Sequence, residues 1–474
     1  MDRIETPQTR CRAGFARGDI TPPVGIYHRL WGAAEHERST GVHYPLDATA
    51  LWLADPDGAD PRVILAVDQC LLDAPDVAAI RRAVRAAVPG VAGVRVTCSH
   101  THASGWMSHS REPFPGGELI APYLKRLAHV CADVARKAAD QAQPAEIVFG
   151  TARCSLAANR DLFDPAINQF VCGFNPAGPA DDTVVVGRAT ANGLIIGTIV
   201  NYACHPTTLA WQNTLISPDF VGHMRAIVQQ HIGVPCLFLQ GASGDLGPRD
   251  GFVGDPRVAE RNGRLLGFAA LAGLEALPPP GTRFAYAGPV VSGATLGTWR
   301  HEPVDLDTAA RHKAWAWKTV TVELPYRLDL PCVEDTRAAL ARWEAEERSA
   351  RAAGDADRAG ECRAHVERMT RQLNRLTALP AGRTYSYPVA LGRTGTALWV
   401  LVPGELYQAF QTTLRARFPD AAVVVATLTD DWQPGYLPTA SSYGYGIYQE
   451  TIAVLAPGSL ETLTETVARE LRAL

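Results

Sequence analysis

The chain has 474 residues, 47% of them hydrophobic and 20% charged, and a formal net charge of -4. That composition builds a large folded core, and its mild negative balance provides no electrostatic footprint for nucleic acid or an anionic membrane surface. Met1 to Thr6 lacks the apolar stretch of a secretion signal, and the longest apolar run, Leu194 to Val200, is too short to cross a bilayer.

Strand-like runs recur along the chain at Leu51 to Leu53, Val63 to Val67, Val94 to Cys98, Leu194 to Val200, Leu237 to Leu239, Leu398 to Val402 and Val423 to Leu428. Alanine-rich amphipathic stretches, Ala74 to Val88 and Pro122 to Ala142, lie between some of them and predict helices. The interleaving predicts an α/β fold of layered mixed β-sheets with flanking helices, as one catalytic domain over 1–474. Residues 333–379, rich in Arg, Glu and Ala, predict an inserted helical hairpin turning at Ala353-Gly354-Asp355. A lid or a dimer arm is one reading of it. A solvated pair packed on the domain is preferred, because its charges leave only a narrow apolar seam. Ser459 is the expected N-cap of a closing helix, 460–474. Ten cysteines without a Cys-x-x-Cys pair read as reduced, mostly buried thiols, so the expected compartment is the cytoplasm.

The most informative stretch is Ser99-His100-Thr101-His102, which closes the run from Val94. Alternation puts Val94, Val96, Cys98, His100 and His102 on one strand face, so both imidazoles are expected at the end of an apolar stripe. Two neutral imidazoles there suit a zinc ion, or one ligand beside a proton shuttle; a pair of core histidines fits the same pattern. Other chemistry-bearing segments also follow apolar runs. They are Asn201-Tyr202-Ala203-Cys204-His205-Pro206-Thr207-Thr208, Pro403-Gly404-Glu405, Gly435-Tyr436-Leu437 and the loop Gly241 to Arg249. Functional groups in layered α/β folds collect where strands end.

Taken in order, these segments resemble the neutral, non-lysosomal ceramidase family in its amino-terminal catalytic domain. Ala16-Arg17-Gly18-Asp19-Ile20-Thr21-Pro22, Gly41-Val42-His43-Tyr44-Pro45-Leu46, Asn159-Arg160 and the tyrosine-rich tail from Tyr436 to Glu450 belong to the same pattern. The resemblance implies a Zn2+ ion bound by His100, His205, Glu405 and Tyr436. His102 sits beside the metal as a proton-transfer group, Arg160 holds substrate or a developing oxyanion, and Tyr448 is a second active-site tyrosine. Gly32 matches a glycine lining the metal pocket. Taken singly, Glu405 equally fits a turn cap, the tyrosines edge aromatics and Arg160 a surface ion pair. Trp106, Met107, Phe114 and Trp211 fit either a pocket wall or ordinary packing.

Two departures from the family pattern matter. Gly247, in the loop with Ser243 and Asp245, stands where the family has a nucleophilic serine, and glycine forms no acyl intermediate. Water activated by the metal is then the expected nucleophile, with Ser243 as the alternative. The family's signal segment and carboxy-terminal β-sandwich are also not recognised. The expected activity is hydrolysis of an amide in a small soluble molecule, with no nucleic-acid partner and no membrane insertion; homo-oligomerisation is left open. An ester, a lactone or a sugar-derived substrate is the alternative, and a non-catalytic binding protein a third reading.

Overall fold

The computed structural model describes residues 3–474. Its centre is an eight-stranded mixed sheet. In chain order the strands are β1 (Gln8–Asp19), β2 (Asp47–Ala54), β3 (Arg62–Val67), β4 (Gly93–Cys98), β5 (Gln143–Arg153), β6 (Thr183–Ala191), β7 (Leu194–Tyr202) and β8 (Cys236–Gln240). Across the sheet the order is β8-β7-β6-β5-β1-β2-β3-β4. The two outermost pairs, β7/β8 and β3/β4, are parallel, and every pair between them is antiparallel. Each parallel pair needs a crossover, supplied by a helix: α1 (Ala74–Ala87) joins β3 to β4, and α3 (Asp219–Ile232) joins β7 to β8. Helix α2 (Ile120–Asp140) precedes β5, and α4 (Pro256–Glu275) follows β8.

A second sheet has four strands, β9 (Trp315–Pro325), β10 (Thr384–Thr394), β11 (Ala397–Leu401) and β12 (Ala422–Ala426), in that order. Strand alternation sorts the core into layers. On every strand of the large sheet except β3, where the parity is reversed, odd-numbered side chains, among them Phe15, Leu51, Ile147 and Phe149, pack with Ala397, Trp399 and Leu401 of the small one. Even-numbered ones, such as Ala48, Val148 and Val186, face α1 to α4. Leu398 and Val400 face the closing helix α7 (Ser459–Arg472). The result is helices, sheet, sheet, helix. Strands buried on both faces read as continuous apolar runs, which is why β11 and β12 stand out in the sequence. Helix α2 lies so close to β1 that a Cβ on Gly14 would meet the Ala138 carbonyl oxygen at 2.0 Å.

The large sheet curls, so that its edge strand β8 contacts β4, β3 and β2 on the other side. The chain leaving β12 stitches this closure: Thr427 N–H donates to the Gln240 carbonyl (2.9 Å) at the end of β8, and Cys98 N–H of β4 to the Leu428 carbonyl (3.2 Å). Strands at opposite ends of the hydrogen-bonded order thereby end side by side.

Several expectations need adjustment. The apolar run continuing to Leu428 leaves the strand at Ala426, because Leu428 adopts φ +52° to make the stitch. The closing helix takes Gly458, at φ +88°, as its N-cap, and Ser459 is its first residue. Strands β1, β5, β6, β9 and β10, helices α3 and α4, and the hairpin Thr282–Ser292/Ala294–Pro303 add to the elements expected from the sequence. All ten cysteines are free.

Residues 333–379 contain helices α5 (Val333–Ala352) and α6 (Ala356–Thr377). They run antiparallel, with the Trp343 ring stacked on His365 at 4.0 Å and Gln372 donating to Thr336. The charges expected to be solvated are partly buried. Arg363, Glu367, Arg371 and Arg375 recur every fourth residue, so one stripe of α6 faces the protein body. Glu367 accepts both terminal nitrogens of Arg111 at 2.8 Å and Nε of Arg371 at 2.8 Å. Burial alone would raise the Glu367 pKa; Arg371 and Arg111 outweigh it and hold it at about 2.

The depressed value carries a sign. Glu367 contributes its stability above its unfolded pKa, near 4.5, and loses it as pH falls through about 2. The contribution is about 3 kcal/mol at neutral pH. Denaturant unfolding of Glu367→Gln at several pH values checks this: a stability deficit of about that size is expected at pH 7, shrinking steadily below pH 4.5.

Candidate metal centre

Four strand ends supply the site. His100 follows β4, His205 follows β7, Glu405 follows β11, and Tyr436 lies beyond β12, where Glu405 and Tyr436 pair in a short parallel bridge. Strand β4 stops at Cys98. Ser99 N–H donates to the Val67 carbonyl and His100 N–H to the Gln69 carbonyl, which hold His100 at φ +69°. That left-handed conformation is uncommon outside glycine and concentrates at functional sites. The chain then turns into a short 3-10 helix, His102–Ser104, whose N–H of Ala103 is accepted by Thr101 Oγ1. The strand alternation therefore does not reach His102. The two imidazoles still meet, 4.8 Å between ring centroids, because the turn and not the pleat brings them together.

The donor atoms converge. His100 Nε2 lies 3.1 Å from His205 Nε2 and 3.2 Å from Glu405 Oε2, and His205 Nε2 lies 2.9 Å from the same oxygen. The Tyr436 hydroxyl is 3.3 Å from His205 Nε2. Four ligands tetrahedrally disposed at zinc bond lengths have edges of about 3.3 Å. The set has that size.

The surroundings decide which nitrogens face inward. His100 Nδ1 donates to the Cys70 carbonyl (2.9 Å) and His205 Nδ1 to the Ser243 carbonyl (2.7 Å). A carbonyl only accepts, so each Nδ1 carries the proton and each Nε2 presents a lone pair. Two lone pairs and a carboxylate aimed at one another repel unless a positive charge sits among them. Such a buried donor set, oriented from behind by backbone carbonyls, fits a divalent cation. The titration pattern follows the same demand for charge. Burial opposes a charged His100, but Cys70 and Glu405 outweigh it and push its pKa up to about 10, so that where no cation binds, a proton on Nε2 takes its place and the lone pair is presented only to a cation. Burial, then Arg160, pushes His205 down to about 3.

The residues singled out from the sequence take distinct positions. His102 has its Nε2 3.4 Å from His100 Nε2, and its ring lies 5.2 Å from Trp31. Burial, followed by the two neighbouring histidines, holds its pKa well below the usual range, so it is neutral at pH 7. Tyr448 lines the cavity with its ring 6.0 Å from Tyr436. Arg160 is buried behind Tyr436, donating to its hydroxyl (3.0 Å) and to the Gly244 carbonyl (2.6 Å). Ser243 sits behind His205, its hydroxyl accepting from Gln240 at 2.7 Å and lying 3.3 Å from Nδ1, the nitrogen turned away from the donor cluster. Asp245 accepts from the backbone and side chain of Gln408, and burial pushes its carboxyl up to about 6. Gly247 pairs with Ala158 in a short bridge, and a Cβ there would meet nothing nearer than 3.8 Å. Gly32 packs against Ala364 of α6, and its carbonyl accepts from Arg29.

The donors open into a cavity whose empty space, its open mouth included, is about 570 Å³. Its walls include residues with no local signal in the sequence: Leu30, Cys70, Arg371, Arg375, Trp432 and Ile452. Only the four-residue spacing of the α6 arginines signalled a common face, and nothing local signalled what that face meets. Trp106 lines the cavity, Trp211 packs on Trp31 and Phe252 nearby, and Met107 and Phe114 belong to the core.

This four-layer arrangement is the neutral ceramidase fold. The crystal structure of neutral ceramidase from Pseudomonas aeruginosa superposes with a TM-score of 0.62 at 15% identity, covering 98% of this chain and 74% of that one. A ceramidase complexed with C2 gives 0.64 at 16%, covering 99% and 76%. In sequence, Pseudomonas aeruginosa neutral ceramidase is 23% identical over 248 residues, which are 50% of this chain and 37% of that protein. The chain matches no protein-family profile.

The geometry makes a direct prediction about metal. Elemental analysis is expected to find one divalent ion per chain in the wild type and none in His205→Ala. Removing the ion with a chelator is expected to lower the melting temperature, corresponding to about 4 kcal/mol if free metal stood a thousandfold above its Kd.

Proposed function

We propose that the protein is a zinc-dependent hydrolase that cleaves an amide bond in a small soluble substrate, using water as the nucleophile. The observation that carries this reading is the convergence of two imidazole lone pairs, a carboxylate and a phenol on one point at the floor of an open cavity. A divalent ion held by His100, His205, Glu405 and Tyr436 would polarise the scissile carbonyl and make water acidic enough to attack at neutral pH.

The other residues divide the remaining work. Neutral His102, beside the donors, accepts the proton that the attacking water gives up and can return it to the leaving nitrogen. Tyr448, on the cavity wall, donates to the oxyanion of the tetrahedral intermediate. Arg160 keeps its charge against the Tyr436 hydroxyl, so it acts as a positioning residue that favours the phenolate and does not reach substrate. Cys70 and Ser243 fix the imidazoles through their carbonyls.

Position 247 supports water over an enzyme nucleophile. Glycine there supplies no hydroxyl, and Ser243 faces the rear of His205. The amide preference draws on the related ceramidases, whose name denotes attack on ceramide, an N-acyl compound. Because the sequence match spans only 37% of the Pseudomonas aeruginosa protein, ceramide itself is not carried over.

Matched amide, ester and lactone substrates, assayed with metal-loaded enzyme, test the reading. Amide turnover without a burst of acyl-enzyme is expected, falling at least about a thousandfold in His205→Ala, the order that separates intact from dismantled catalytic centres. Exclusive lactone turnover, or equal activity after complete metal removal, overturns it. In Gly247→Ser, which has room for the added side chain, a burst of acyl-enzyme is expected if the loop aims the new hydroxyl at the carbonyl.

A further inference from the structure

Helix α6 brings two guanidinium groups to the cavity wall, and one of them has no partner. Arg371 binds Glu367 through Nε, while one of its terminal nitrogens is buried without a hydrogen bond. Arg375, one turn further on, makes no ion pair and no side-chain hydrogen bond among the described residues, although it lines the cavity. Its Nε lies 3.9 Å from where a Cβ on Gly435 would stand, directly before the Tyr436 donor. The nearest carboxylate on α6, Glu367, is already bound on both oxygens by Arg111. Arg371 thus shares Glu367 with Arg111, and no carboxylate is bound to the Arg375 fork; Glu405 of the donor cluster lines the same cavity and favours the Arg375 charge without a hydrogen bond to it. Burial, with Arg371 adjoining, disfavours the charged Arg375, so the folded chain holds this cation at a cost.

A half-buried guanidinium that lines a cavity and finds no protein acceptor is poorly explained as a structural group, because its partial desolvation brings no hydrogen bond in return. Its geometry matches a planar or tetrahedral oxyanion. We propose that Arg375, with the Arg371 charge beside it, is the specificity determinant of the site, and that the substrate carries an anionic substituent, a carboxylate or a phosphate, close to its scissile bond. This rests on the hydrolase reading for the word substrate, but the anion site itself does not. It distinguishes this cavity from one built for an uncharged lipid amide. The cation is supplied by α6, so the helix contributes part of the binding wall in addition to packing on it.

Three matched compounds make the kinetic test: N-hexanoyl-β-alanine, its neutral carboxamide, and N-hexanoyl-ethanolamine phosphate. Wild-type holoenzyme is expected to favour an anionic compound over the carboxamide by about 30-fold or more in kcat/KM, the usual cost of leaving a buried charge without its partner. Whichever anion is preferred identifies carboxylate or phosphate as the source. In Arg375→Met the ratio is expected to fall below about threefold, with partial recovery in Arg375→Lys, whose point charge lacks the fork. Calorimetry with glutarate and butyrate, which contain no amide, reads the anion site separately. Glutarate is expected to bind wild type at least about tenfold more tightly than butyrate, and Arg375→Met to abolish the difference. Arg375-dependent glutarate binding without amide turnover sustains the anion site and refutes the hydrolase reading. Amide turnover with no anionic preference, and glutarate bound no better than butyrate, overturns the proposal and leaves the hydrolase reading standing. If Arg375→Met does not fold, the two wild-type ratios decide.

Discussion

Two hydrogen bonds that never face the cavity organise its chemistry. Each runs from an imidazole Nδ1 to a backbone carbonyl, of Cys70 or Ser243, and each forces the opposite nitrogen to present a lone pair. The acceptors lie in loops that follow β3 and β8, so the orientation of the rings is inherited from backbone positions deep in the fold. A carboxylate and a phenol brought up from the second sheet then complete a cluster that is electrostatically unfavourable by itself. The same repulsion that makes the cluster costly to assemble makes it selective for a small, highly charged cation.

That assembly depends on the curl of the large sheet. In the hydrogen-bonded order β4 and β7 are six strands apart, and a flat sheet would hold His100 and His205 far from each other. Closure of β8 toward β4, stitched by Thr427 and Leu428 leaving β12, places the two histidine-bearing ends in contact range. The stitch uses backbone groups, so it tolerates many side chains, but it requires left-handed backbone at Leu428 and Asp430. Strain is thus present at the stitch as well as at His100. Both places are held by several hydrogen bonds to neighbouring strands.

Helix α6 shows how a charged segment can be part of an interior. Arg363 pairs with Glu37 and lies 4.9 Å over the Phe114 ring, and Arg111 lies 4.9 Å over Trp106 while holding Glu367. The apolar surface under the helix is covered by guanidinium faces, which pack flat on aromatic rings while their edges remain hydrogen-bonded. Composition read this stripe as solvent-facing, since charge density is blind to which neighbours arrive from elsewhere in the chain. The stripe's regular four-residue spacing was visible; its partners, the acceptor Glu37 and the donor Arg111, are hundreds of residues away.

What the sequence by itself determined is local. Apolar runs buried on both faces, as in β3, β4, β7 and β11, declare themselves as strands, and the candidate ligands declare themselves by standing just beyond such runs. Strand β1, with arginines at 10, 12 and 17, and the half-exposed strands β9 and β10 offer no such signal, because their partners and not their composition make them strands. Strand alternation does not account for the meeting of His100 with His102, since His100 itself is left-handed, held so by hydrogen bonds to Val67 and Gln69. Which donors share one point, which arginine stands behind a ligand and which two face the cavity were decided only by tertiary structure. Those relations join residues as far apart as 100 and 436, and no periodicity along a chain encodes the curl that brings such distant ends together.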